Sequence, residues 1–137
     1  MSKQFLVLGA ALLGLAACQS APQPEQSNLD VIGTWHIEVA QTKPVIDYSP
    51  AQLTFAEDGK LSGNNSCNQL FGQYSIDGEA LTISPAGSTM KACVEALMMQ
   101  EQRVMAALPL ITQGKMQQGK LLLQDEKGNT QLVLSRL

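Results

Sequence analysis

Aromatic side chains are scarce here, with one Trp, two Tyr and three Phe in 137 residues. A hydrophobic core made from this sequence is therefore expected to be aliphatic and rich in methionine. Histidine occurs once, as His36. Triad chemistry needs a nucleophile, a base and a third group that orients the base. No Gly-x-Ser-x-Gly elbow, phosphate loop or histidine-rich metal spacing accompanies His36. It falls on the polar side of an alternating segment and reads as a surface residue. No catalytic residue, metal site or cofactor is expected. A basic cluster is also missing, which removes the electrostatic footprint of nucleic-acid binding. Nor is there an apolar run of the roughly 20 residues that a membrane-spanning helix requires.

An uncharged apolar run, Phe5 to Ala17, follows a basic start at Lys3 and has the length of a signal-peptide core. It ends in Leu15-Ala16-Ala17-Cys18, which resembles the lipobox of bacterial lipoproteins. That resemblance implies cleavage before Cys18, with acyl chains on its sulfur and on the new amino terminus. Several chains are needed for stable anchoring, because one holds only marginally. Residues 1–17 are thus expected to be a signal peptide. Gln19 stands where a retaining Asp would sit, so the resemblance implies an outer-membrane lipoprotein, on the periplasmic side. Removing residues 1–17 takes away Lys3 and no acid, leaving 8 basic against 12 acidic side chains. Without a polybasic patch, membrane contact would rest on the acyl chains. Residues 18–28, with Pro22 and Pro24 and little to bury, read as a lipidated tether. One domain is expected over residues 29–137.

Lipidation of Cys18 leaves Cys67 and Cys93 as an even pair in an oxidising compartment, where disulfides persist. Closing that loop would stabilise the fold by about 3–4 kcal/mol on the chain-entropy model. Free thiols are the alternative. Zinc is disfavoured, since two thiols without a nearby histidine make a poor ligand set.

Alternation with period two marks the strands. Trp35, Ile37 and Val39 share one face of Thr34 to Val39, while Thr34, His36 and Glu38 share the other. Leu53 and Phe55 repeat the pattern, and further strands are expected at 61–68, 71–76, 81–83, 120–124 and 131–134. Turns fall at Glu57-Asp58-Gly59-Lys60, at Asp77-Gly78 and at Lys127-Gly128-Asn129. About seven short strands joined this way predict an antiparallel sheet, curled to protect its edges. Residues 92–108 lack Gly and Pro and are rich in helix formers, and Pro109 ends the stretch. At helical spacing Val94, Leu97, Met98, Val104, Met105 and Leu108 form the apolar stripe, with Glu95, Arg103 and Ala106 pointing away. The fold class is α+β, mainly β: a small antiparallel, barrel-like sheet with one packed helix.

Glu101 falls within that stripe. A carboxylate in a dry core costs several kcal/mol unless it is paired. It is therefore expected to clamp helix to sheet, accepting bonds from backbone N–H groups or from the asparagine loop. That loop holds Asn64, Asn65, Asn68 and Gln69 around Cys67, which is chiefly turn chemistry, with Asn68 the most internally bonded. The alternative is a polar recognition patch. Met90, Met98, Met99, Met105 and Met116 read as flexible core filler, with Met99 the one expected to be exposed.

The run from Gly63 through Cys67-Asn68 to Gly72-Gln73-Tyr74, followed by Leu81-Thr82-Ile83, resembles the central signature of the META domain. That family includes the heat-shock lipoprotein HslJ. A second signature is matched by Thr89-Met90-Lys91-Ala92-Cys93 and by Met99-Gln100-Glu101-Gln102, with Met90 one place earlier than in the commonest spacing. The resemblance covers about residues 29–137. It implies a curled β-sheet with one helix, and makes Gly63, Asn68, Gly72, Tyr74, Thr89, Met90 and Glu101 structural signature residues. It supplies no catalytic mechanism. The expected function is that of a non-enzymatic envelope lipoprotein supporting envelope integrity or stress tolerance. The alternative is a barrel-like module that binds a hydrophobic ligand or an envelope protein.

Overall fold

In the computed structural model, Cys18 and residues 29–137 are described. Cys18 is exposed and outside any disulfide. The expected signal peptide at 1–17 and tether at 19–28 lie outside the described residues. The alternating segments are strands: β1 (Gly33–Ala40), β2 (Lys43–Pro44), β3 (Gln52–Phe55), β4 (Lys60–Asn64), β5 (Gln69–Asp77) and β6 (Ala80–Ser88). The helix α1 (Glu95–Ala107) runs into a 3-10 turn (Leu108–Leu110), and β7 (Gln113–Gln117), β8 (Lys120–Gln124) and β9 (Thr130–Arg136) complete the chain.

Each strand pairs antiparallel with its neighbour, in the order β2-β1-β3-β4-β5-β6-β7-β8-β9, and β1 also pairs with β9. The sheet therefore closes into a ring, with β2 attached at the end of β1. Closure is uneven. β1 and β9 match from Trp35↔Arg136 to Ala40↔Leu132, whereas β6 and β7 share the single bridge Ala80↔Gln113. The chain between those two strands is α1 and its 3-10 turn. The turn packs on β6, and α1 packs on β1 and β9.

Inward-facing residues fill the ring. Trp35, Ile37, Leu53, Phe55, Leu61, Leu81, Leu121, Leu123, Leu132 and Leu134 are buried, with Val104, Ala107, Leu108 and Ile111 from the helical segment. Fully burying one such large side chain contributes about 1.5–3 kcal/mol, which makes this the main source of stability. Two signature glycines let strands approach. A Cβ on Gly63 would lie 2.0 Å from the Gln52 carbonyl oxygen, and one on Gly72 would lie 2.5 Å from that of Ser84. Tyr74 closes the next layer. Its ring meets Phe55 edge-on at 5.0 Å and its hydroxyl donates to the Ala56 carbonyl at 2.5 Å. Burial, helped by the charges of Asp58 and Glu57, raises its pKa above the ordinary 10.0.

The structure corrects several expectations. A register shift between Ile37 and Val39 turns Ala40 into the core in place of Val39. The strand expected at 61–68 ends at Asn64, where Asn65–Asn68 form a loop. β2 and β7 were not anticipated, because Lys43–Pro44 is too short for a pattern and Gln113–Gln117 does not alternate. The helix begins at Glu95 rather than Ala92, and its inward face is rotated. Gln100, Val104 and Ala107 are its buried residues, whereas Val94 and Met98 are exposed. Arg103, expected to point away, is half-buried, and its Nε finds no acceptor among the described residues. The methionines are not core filler either. Met90 is 95 % exposed, Met98 36 %, Met99 49 % and Met116 45 %, and only Met105 packs against the core.

Candidate functional site

Three of the signature residues, Asn68, Thr89 and Glu101, come together where α1 crosses the loop between β4 and β5. The loop is built by its own side chains. Asn65 Oδ1 accepts the N–H groups of Cys67 (3.2 Å) and Asn68 (2.7 Å), and Asn64 Oδ1 accepts that of Ser66 (2.8 Å). Such short-range bonds are what Asn offers a turning backbone. They hold Ser66, buried and not a glycine, at a φ of 103°. Left-handed backbone of this kind costs of order 1–3 kcal/mol and persists only where the surroundings enforce it.

The enforcement comes from two adjacent residues of α1. Glu101 Oε1 accepts from Asn65 Nδ2 and from Asn68 Nδ2, both at 2.9 Å. Gln100 donates through Nε2 to Ser66 Oγ at 3.1 Å and accepts the Ile46 N–H at 2.6 Å. Ser66 Oγ in turn meets Ser49 Oγ at 3.1 Å. Asn68 also ties down the approach to the helix: its Oδ1 accepts from Thr89 Oγ1 (3.0 Å) and from the Lys91 N–H (2.8 Å). The disulfide between Cys67 and Cys93, Cα atoms 5.9 Å apart, joins the loop to the same segment.

Beside this polar seam runs an open groove of about 490 Å³, lined by Asn68, Ser88, Thr89, Met90, Lys91, Ala92, Met98, Glu101, Gln102 and Met105. Its walls are largely thioether and methylene. Both bonds to Glu101 end on Oε1, and Oε2, which has no donor among the described residues, is not a fully buried atom. The groove therefore combines apolar walls with one carboxylate oxygen able to accept a further hydrogen bond. The exposed side chains of Val94 and Met99 lie on the neighbouring part of the helix.

Of the expected site residues, Asn68, Thr89, Glu101, Cys67 and Cys93 converge on this seam. Met90 stands at the groove rim, while Gly63, Gly72 and Tyr74 hold strands together away from it. His36 is half-buried on β1, opposite Gln52 and Ser135, and outside the seam. Gln100 is the residue that sequence reasoning missed. Its signal was available in the Gln100-Glu101 pair of the second signature, but a periodicity that scores only apolar side chains passes over it. Among the described residues no three His, Cys, Asp or Glu side chains gather as a metal set, and no helix is long and apolar enough to cross a membrane.

Comparison with known proteins gives a family and a fold. The family model of the META domain matches residues 27–136. A protein from Burkholderia xenovorans, solved by NMR, is similar, with a TM-score of 0.62 and 26 % identity over 77 % of this chain and 81 % of that one. A DUF4847 family protein from Bacteroides vulgatus, solved by crystallography, has a TM-score of 0.56 at 17 % identity over 77 % of this chain and 92 % of its own. A third structure, from NMR, gives a TM-score of 0.55 at 23 % identity over 80 % and 89 % of the two chains. At those lower identities the likeness shows the fold alone. No functionally curated protein gives a significant match.

Proposed function

Because the chain belongs to the META domain family, we propose that it is a non-enzymatic, lipid-anchored envelope module that supports envelope integrity under stress by binding an apolar segment of another envelope protein. The single observation that carries this reading is the groove beside the seam. It combines methionine walls, which adapt to irregular apolar partners, with a rigid polar floor. Glu101 is spoken for by two amide donors, an arrangement suited to holding a surface in shape rather than to moving protons. Anchoring through Cys18 would raise the local concentration of membrane-bound partners, so that modest affinity suffices.

An enclosed hydrophobic ligand is the second reading, and packing speaks against it. The side chains that point into the ring are themselves buried against one another. A bound hydrophobe would therefore share the outer groove with the protein partner.

Site-specific photo-cross-linking in intact cells tests the proposal. A photoreactive residue at Gln102, on the groove, should give a discrete and repeatable protein adduct, which a Met98→Glu substitution abolishes. The same probe at Lys127, on the β8–β9 turn, should give none. Identical adducts from both positions, or none from Gln102, would overturn the binding reading.

A further inference from the structure

Methionine is among the residue types most often buried, yet none of the five in the described domain joins the twenty buried hydrophobic residues. Leucine at 61, 81, 121, 123, 132 and 134 does the opposite and is fully buried, although Leu110 and Leu137 are exposed. Four of the sulfurs sit on exposed side chains, and Met90 and Met98 line the groove together with half-buried Met105. The other oxidisable sulfurs of the domain, Cys67 and Cys93, are already joined in a disulfide.

We infer that Met90 and Met98 form an oxidation site that turns the groove from apolar to polar while the fold stands. A two-electron oxidant such as hypochlorous acid transfers its oxygen to the thioether sulfur. The sulfur gains an S–O bond and loses two electrons. The O–Cl bond breaks, chlorine takes those electrons and leaves as chloride, and the hydroxyl proton goes to water. A sulfoxide is polar and chiral where the thioether was flexible and apolar, and methionine sulfoxide reductases reverse the change. The ring survives because none of its buried residues is a methionine, and Met105, half-buried, only packs against the core from the groove side. Site selection rests only on the placement of the sulfurs. The consequence for binding rests on the groove being the binding face.

The test uses the mature chain in detergent, titrated with hypochlorous acid and read in three ways. Peptide mass spectrometry should show oxygen gained first at Met90 and then at Met98, Met99 and Met116. Met105 should react severalfold more slowly than Met90, with the disulfide intact. The melting temperature should stay unchanged. Fluorescence of bis-ANS, an apolar probe for the groove, should fall with oxidation, recover after reductase treatment, and persist in an oxidised Met90→Leu/Met98→Leu double variant. Met105 reacting as fast as Met90, or unfolding on oxidation, would overturn the site. Probe fluorescence that is indifferent to oxidation, or lost equally in the double variant, would overturn the polarity switch. A missing cross-linked partner would count against the proposed function without touching the oxidation result.

Discussion

The ring interior and the seam beneath α1 are both buried, but they are held by opposite means. In the ring, aliphatic side chains pack without direction, and the backbone ladders supply the geometry. In the seam, Asn65, Asn68, Gln100 and Glu101 supply the geometry, and few apolar atoms are involved. Apolar contacts tolerate small shifts, whereas a buried amide left without its partner costs about 1–3 kcal/mol. The comparison teaches a division of labour: the ring makes the domain stable, and the seam decides where the helix and its groove sit.

The most damaging single change should fall in the ring. Gly63→Ala places a methyl 2.0 Å from a backbone oxygen of β3 and has to part the two strands. We expect a loss on the order of 4 kcal/mol, at the severe end for point substitutions, read as failure to fold or a collapsed denaturant midpoint. Replacing both Cys67 and Cys93 by Ser comes next. The chain-entropy model gives about 3–4 kcal/mol for this loop, measured by urea unfolding. A midpoint equal to that of the native chain would mean that the seam needs no covalent tie.

Glu101→Ala should cost about 2 kcal/mol by stranding two amide donors, and lower the melting temperature by several degrees. Glu101→Gln, which keeps an acceptor, should cost less. Hydrogen exchange sharpens the comparison. The amides of Cys67 and Asn68 should lose protection in Glu101→Ala while those of β8 and β9 do not. Uniform loss across both regions would show that ring and seam are one cooperative unit. Smallest is an effect of acid at the β8–β9 turn. Burial pushes the Asp125 carboxyl up, but donors from Asn129, Gln131 and Lys127 together outweigh it and hold its pKa below the ordinary 3.8. A depressed folded pKa gives stability that is present above 3.8 and lost as pH falls through the folded value. The melting-temperature gap between native and Asp125→Asn proteins should therefore close below about pH 4.

Much of the ring was legible because alternation and Asp-Gly or Gly-Asn turns are local signals. What failed was non-local. The bulge that replaces Val39 by Ala40 depends on how β9 pairs with β1. The helix rotation depends on a loop 34 residues away from Gln100 that offers hydrogen bonds to it. For Glu101 the pattern worked in reverse: a charge out of place on an apolar stripe pointed to partners, and the asparagine loop supplied them. Methionine misled because hydrophobicity alone assigned it to the core.

β1 and β9 are nearly the first and last parts of the domain, and their pairing shuts the ring. Leu137 N–H still reaches the Thr34 carbonyl at 3.0 Å, and the Arg136 guanidinium lies 4.3 Å from the centre of the Trp35 ring. For a chain made from the amino terminus, closure has to wait for β9. Contacts this distant in sequence also slow folding. The domain therefore stays open until β9 is in place, and a chain cut just before Thr130 would be left with two unpaired edges.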